Sequence, residues 1–354
     1  MAFDYYVDSR NGHDPAPPPA PSGDGTSGNP WRTITPVLAA LAHPIVQTTT
    51  IHLAGSLTVP GLYDYGTLAL SGVQCLNNSQ LIWQPWIPSP STEWNNTNYL
   101  NGLDPLSSLA PPPAFDPTKP KTCMFSGGVS IDLGSNNVVF RGIEIAGGLS
   151  QGLTTGAVAV NDGSRAQFVF CRFDQPQASN TIGVLLLGDS TVTIENCYVT
   201  DFSSGIVAMD GVDLSLNGAN WIVDCGAVGL AAFWDSRVGI QPFLGGVLTL
   251  CTTTIQTTSP RGAYKAVWAV ASKIVIPDLS LLGISNRGLL QIIKTDLHGN
   301  DEYYGVVLEA QSLLLGAKLV MFTNPQLALT QPAFETVPAA QQIVLKPGEG
   351  CVKA

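Results

Sequence analysis

From Val129 onward, short apolar runs and polar turns recur along the chain in one repeated phrase. Each copy opens with an apolar strand, turns at Asp, Ser or Gly, and continues in a second strand of alternating apolar and polar positions before a polar loop. Val129-Ser-Ile-Asp-Leu-Gly leads to Asn137-Val-Val-Phe-Arg-Gly-Ile-Glu-Ile, and Ala157-Val-Ala-Val-Asn-Asp-Gly leads to Arg165-Ala-Gln-Phe-Val-Phe-Cys-Arg-Phe. Gly183-Val-Leu-Leu-Leu-Gly-Asp leads to Thr191-Val-Thr-Ile-Glu-Asn-Cys-Tyr-Val, and Gly205-Ile-Val-Ala-Met-Asp-Gly leads to Val212-Asp-Leu-Ser-Leu. Later copies open at Gly229, Ala266 and Gly305. Copy starts are separated by about 22 to 28 residues at first, then by about 37 to 39. Stacked coils tolerate this spread, because additions sit in loops on one side.

Alignment of the first three copies places Phe140, Phe168 and Ile194 at one position. Ile143, Cys171 and Cys197 fall at a second, and Ile145, Phe173 and Val199 at a third. Like residues stacked at the strand spacing of about 4.8 Å predict inward-facing ladders. The expected fold is therefore all-β, a right-handed parallel β-helix, with coils of roughly two dozen residues stacked along an axis. An antiparallel β-sandwich also shows short strands at regular spacing, but it does not repeat a two-strand phrase in register. The Asp-Gly pairs at Asp162 and Asp210 recur at one point of the phrase, as a coil corner would.

The opening stretch runs Tyr6-Val-Asp-Ser-Arg-Asn-Gly-His-Asp and then Asp24-Gly-Thr-Ser-Gly-Asn-Pro-Trp-Arg-Thr-Ile. It resembles the N-terminal cap of the right-handed parallel β-helix (pectate-lyase-like) superfamily, closest in character to phage virion and tailspike β-helix proteins. The resemblance lies in a "YVD" strand, an "NGSD-like" turn, "GTS", and "P-aromatic-x-T-I" before a short helix. It covers residues 4–56 closely and 129–322 by repeat pattern, and it speaks to fold more than to function. It implies a capping helix at Thr35-Pro-Val-Leu-Ala-Ala-Leu-Ala, with Thr35 as N-cap and proline in the first turn. The apolar face of that helix would plug the open end of the coil. Thr49-Thr-Ile-His-Leu-Ala-Gly would be the first coil strand. The expected organisation is a cap over 1–56, coils over 57–325 and a tail or cap over 326–354. A proline run at 15–21 interrupts the cap, and a Pro- and Asn-rich insertion at 84–122 interrupts the coils. Gln341-Gln-Ile-Val-Leu-Lys-Pro-Gly reads as a final strand and turn.

Composition narrows the partners. Charged residues are only 12 % of the chain, about half the usual share, while Gly (36) and Pro (26) are plentiful, as tight turns require. The net charge of −10, with 16 Lys plus Arg, argues against nucleic acid, whose binding is driven by phosphate neutralisation, and against acidic membrane surfaces. No apolar run approaches the roughly 18 residues needed to cross a bilayer. The start has neither a basic n-region nor an apolar h-region, so no signal peptide is expected. The seven cysteines include no CxxC pair, and Cys171 and Cys197, at equivalent points of successive copies, read as small core residues.

Candidate chemistry is sparse. Asp162, Asp189, Asp210 and Asp235 each follow the first strand of a copy and could form a column of carboxylates, as glycoside hydrolysis requires in pairs. Asp is also a favoured turn residue, so the column reads first as corners and only second as a catalytic set. Glu195, Asp201 and Asp224 form a second acidic candidate. Polygalacturonase-like signatures (Asn-Thr-Asp, Asp-Asp, Gly-His-Gly, Arg-Ile-Lys) do not occur. Arg141, Arg165 and Arg172 could serve a lyase-like site, but no dense acidic cluster accompanies them in the sequence. His13, His43, His52 and His298 lack metal-ligand spacing, and neither a metal nor a cofactor is expected. Trp83, Trp86, Trp94 and Tyr99 cluster around the 84–122 insertion as candidate anchors for a glycan or a protein partner, or as pins holding the insertion to the coil. Asn77-Asn-Ser and Asn95-Asn-Thr match the glycosylation pattern, which an Asn-rich chain carries by chance.

Three functions are compatible with these observations. The first is a non-enzymatic structural protein of a virus particle, decorating a capsid or tail as a homotrimer in contact with other virion or surface proteins. The second is a tailspike-like polysaccharide-binding protein or depolymerase. The third is a microbial surface or filament-forming adhesin, which an open rather than capped C-terminal end would favour. Each places the protein on a virion or an extracellular surface.

Overall fold

The computed structural model describes residues 3–17, 22–56, 59, 61–86, 121–151, 154–175, 181–223, 225–241, 251–257, 264–275, 280–286, 303–309, 312–315, 319–322, 343–345 and 352–353. Its strands form three sheets whose neighbours are separated in sequence by one coil. Sheet I carries the first strand of each coil, sheet II the second and sheet III the third. Val129–Asp132, Val138–Arg141 and Glu144–Ala146 make one such turn, followed by Thr154–Val160, Arg165–Val169 and Arg172–Asp174. Thr181–Leu186, Thr191–Glu195 and Tyr198–Thr200 make the next. Pairing along each sheet is parallel, and the exception among the described residues is Leu149–Gln151, which lies antiparallel to Thr154–Val160. The molecule is a parallel β-helix, and crossovers between parallel strands of one sheet are right-handed.

Each coil holds three strands where the repeated phrase suggested two. The long second run breaks at Gly142, Phe170, Asn196 and Gly218, all with φ between 52° and 63°. A single left-handed residue turns the chain from sheet II into sheet III, and both strands still send alternate side chains inward. The inward ladders follow the alignment. Phe168 pairs with Phe140 and Ile194, and Phe173 with Ile145 and Val199. The first of these ladders extends to Trp83 and Ile51 on earlier coils, and all the side chains named in these ladders are buried in one core.

The corner between sheets I and II is lined by serines. Ser135, Ser164, Ser190, Ser236, Ser272 and Ser312 are buried on successive coils, with Val212 in the remaining place. Ser190 Oγ donates to the Leu187 carbonyl (2.6 Å), Ser236 to Phe233 (2.7 Å) and Ser135 to Asp132 (2.8 Å). Each of these three hydroxyls satisfies a backbone carbonyl at the corner.

At the N-terminal end, Phe3–Val7 pairs with Thr49–Ala54, so sheet II already begins within the first residues. The helix Thr35–Ala40 lies over the coil, with Val37 in the core alongside Trp31, Leu41 and Ile45. Thr35 is not its N-cap. That position is Ile34, in helical backbone with no side-chain cap, and Pro36 stands in the first turn as expected. Ile34 instead packs against the core, so apolar contact anchors the helix start in place of a capping hydroxyl. At the other end, Ile343–Leu345 and Val352–Lys353 pair onto sheets I and II. The residues that would show an open or capped end, most of the proline run and 87–120 of the insertion lie outside the described residues.

Candidate functional site

Sheet register places the four column aspartates on the corner between sheets I and II, one position apart in alternation. Asp162 and Asp210 share a place with Gly188 and Trp234, while Asp189 and Asp235 share the next place with Gly163 and Gly211. All four are exposed, with φ of 55°, 54°, 63° and 60° in chain order. Asp tolerates this left-handed backbone better than most residues. The turns are locked between coils: Asp189 N–H donates to the Asp210 carbonyl (2.8 Å), and Asp235 N–H to that of Ala271 (2.8 Å). The Asp189 carboxylate occupies the space that a Cβ on Gly211 would need. The column is a ridge of corner-formers.

The aromatic candidates separate. Trp83 is fully buried in the inward ladder, stacked on Phe140 (6.2 Å between centroids, 9° between planes). No face of its ring is open to a ligand, because its position on Leu81–Trp86 points into the coil. Trp86, on the outer side of the same strand, is buried and meets the edge of Tyr6 at 5.0 Å. Tyr6 in turn stacks on His52 (4.4 Å), whose Nε2 lies 3.0 Å from Asp4 Oδ1. Trp94, Tyr99, Asp224 and His298 lie outside the described residues.

Sheet III gathers a set of ionisable residues on its outer side, of which sequence reading singled out Arg172 alone. Glu144 and Arg172 are adjacent in register, and Arg172 is followed by Tyr198 on the next coil. Arg172 donates to Asp174 Oδ2 from both Nη2 (2.6 Å) and Nε (3.2 Å), and its guanidinium lies 5.0 Å from the centre of the Tyr198 ring. Glu144 Oε2 accepts the backbone N–H of Lys121 (2.9 Å). Glu144, Arg172 and Lys121 are each buried. Burial raises the Glu144 carboxyl above its ordinary range and lowers the Lys121 ammonium, so both are pushed toward neutrality. The signal in sequence was faint: in the run Glu144-Ile-Ala and the run Arg172-Phe-Asp, the charges flank an inward ladder position. Of the second acidic candidate, Glu195 is buried on the outer side of sheet II, its carboxyl raised by burial. Asp201 accepts from Thr200 Oγ1 (3.0 Å) at a left-handed turn. Sheet III and sheet II thus hold Glu144 and Glu195 apart. Cys75, Cys123, Cys171, Cys197 and Cys225 are buried thiols, with Cys123 and Cys197 pushed up by burial. Among the described residues no group of three metal-ligating side chains is gathered, and no helix is long and apolar enough to cross a membrane.

Three parallel sheets wound coil by coil define the class as a parallel β-helix. No family model matches the chain, and no curated protein matches it in sequence. Among solved structures it is similar to a pectin methylesterase from Aspergillus niger, at 14 % identity and a TM-score of 0.34, over 94 % of this chain and 96 % of that one. It is also similar to pectate lyase Pel9A (11 % identity, TM-score 0.38, 90 % of this chain and 77 % of that one). A third is a lacto-N-biosidase from Eubacterium ramulus (10 % identity, TM-score 0.22, 90 % and 67 %).

Proposed function

We propose that the protein is a non-enzymatic structural subunit of a virus particle or comparable extracellular surface, acting through contacts between copies of itself. The observation that carries this reading is a second apolar cluster outside the coil. Leu185, Val207, Val228 and Ala231 are buried on the outer side of sheet I, with Ile182, Leu187, Met209, Phe233 and Trp268 partly exposed around them. The column Ala159, Leu185, Val207, Ala231 and Trp268 runs over five coils in register, about 19 Å at the strand spacing. A solvated sheet face alternates apolar inside with polar outside, and an outer face this apolar suits a neighbouring subunit. A second copy of the chain, in a closed cyclic assembly such as a trimer, presents the same strip to its neighbours.

The second reading, a glycan depolymerase, has its own support in the Glu144, Lys121 and Arg172 cluster, since a carboxyl whose pKa is raised by burial is suited to general acid catalysis. The two readings part in one assay: a panel of capsular and plant polysaccharides is incubated with the protein and their chain lengths are measured. A structural subunit leaves every length unchanged. Shortening of any member overturns the structural reading, and its loss in Glu144→Gln assigns the reaction to sheet III.

A further inference from the structure

Cys171 and Cys197 occupy one place on adjacent coils, at the corner that turns sheet II into sheet III. Arg172 pairs with Tyr198, and Tyr198 N–H donates to the Cys171 carbonyl (3.0 Å). The two cysteines therefore lie one above the other at the strand spacing of about 4.8 Å. That separation falls inside the window of about 4.4–6.8 Å between Cα atoms that a disulfide spans. Cys197 Sγ reaches into the gap between the coils, where it accepts the Cys171 backbone N–H at 3.3 Å, and the two thiols are hydrogen-bonded to each other. Other described cysteines are placed differently: Cys123 stands opposite Ile143, and Cys75 opposite Ile45.

The two thiols differ in a way that suits exchange. Burial raises the Cys197 thiol well above its ordinary value. At Cys171 burial acts in the same direction, but it is outweighed by hydrogen bonds, that with Cys197 first, and by the Lys121 ammonium, so this thiol is lowered. A thiol lowered by its surroundings attacks as the thiolate, and a second thiol in contact with it can resolve the product. Both side chains are buried, so access requires the coils to part. A solenoid opens in just this way, because each coil packs only against its neighbours. A bond between Cys171 and Cys197, 26 residues apart in sequence, would tie the coil that carries Phe168 to the coil that carries Ile194, across the ladder that builds the core.

We propose that Cys171 and Cys197 are a redox modification site, converted by a small disulfide oxidant into an intramolecular disulfide that staples two coils. The Cys171 thiolate attacks the oxidant, forming a mixed disulfide and releasing one small thiol. The Cys197 thiolate then attacks the Cys171 sulfur and displaces the second small thiol. Two protein S–H bonds give way to one S–S bond, and the two electrons and two protons leave with the small thiols. The test incubates the purified protein with oxidised glutathione to constant composition, then alkylates it in denaturant and maps its peptides by mass spectrometry. The expected product joins the peptides of Cys171 and Cys197, two hydrogens lighter, with Cys75, Cys123 and Cys225 still alkylated. Its unfolding in urea, followed by circular dichroism, is about tenfold or more slower than that of the reduced protein, and dithiothreitol restores the faster rate. Reduced and oxidised wild type make this comparison without any variant, and Cys197→Ala is expected to unfold at one rate in both buffers. Two free thiols at the end of the incubation overturn the proposal, as does a link from either cysteine to a different one. An oxidised protein that unfolds no more slowly overturns it too, as does equal slowing in Cys197→Ala.

Discussion

Phe140 and Phe168 lie in register on adjacent coils, with ring centroids 5.3 Å apart and planes 13° from parallel. The pair is the centre of a ladder that continues to Trp83 on one side and Ile194 on the other. Truncating a fully buried aromatic removes its transfer energy and leaves a cavity, so Phe168→Ala is expected to cost about 3–5 kcal/mol. Urea unfolding followed by circular dichroism reads this as a lower midpoint, and an unchanged midpoint would mean that the ladder does not carry the core.

The serine corner makes a sharper distinction. Ser190 Oγ donates to the Leu187 carbonyl at 2.6 Å and lies 3.3 Å from that of Val160, whereas Ser164 Oγ is buried without a partner. Ser190→Ala should therefore cost about 1–2 kcal/mol, and Ser164→Ala should be neutral or stabilising. Equal losses from the two, measured by denaturant titration, would refute the assignment.

At Asp210 the backbone is left-handed, at φ 63°. Glycine or asparagine there should be tolerated within about 0.5 kcal/mol, while valine, β-branched, should cost about 1–3 kcal/mol. Melting curves of the three variants test this. If valine is as stable as glycine, Asp210 is not held by the corner.

Burial raises the carboxyls of Glu144 and Glu195 above their ordinary value. The folded chain therefore keeps protons that the unfolded chain loses. Stability from this source is complete below the unfolded carboxylate range, about pH 4, and is lost as pH rises through the higher folded values. Glu195→Gln stays neutral and should flatten that decline. Unfolding free energies measured between pH 4 and 8 decide it, and identical pH slopes in the variant and the wild type would show that Glu195 does not titrate as described.

The coil and its inward ladders were legible in the sequence because Phe140, Phe168 and Ile194 recur at one point of the phrase. The third strand was missed, because the phrase reads as one long second run; only a step of three among the inward positions 138, 140, 143 and 145 marks the corner at Gly142. The serines of the first corner carried a similar signal, following Asp162-Gly and Gly188-Asp at the same point. The Asp ridge was visible, but its alternation depends on pairing between coils, which sequence order alone does not contain. The role of Trp83 was hidden for the opposite reason. Its neighbours Ile82 and Trp86 are also apolar and buried, so no alternation told inside from outside. Glu144 and Arg172 meet only because one coil separates them, and charge spacing along the chain does not reveal that.

Light scattering of the purified protein at micromolar concentration asks whether the outer face of sheet I joins copies of the chain. The subunit is 37.2 kDa. A stable species at three times that mass, falling to the single-chain mass in Leu187→Asp/Met209→Asp with the β-sheet spectrum retained, is the expected outcome. A wild-type protein that scatters as one 37.2 kDa chain would contradict it.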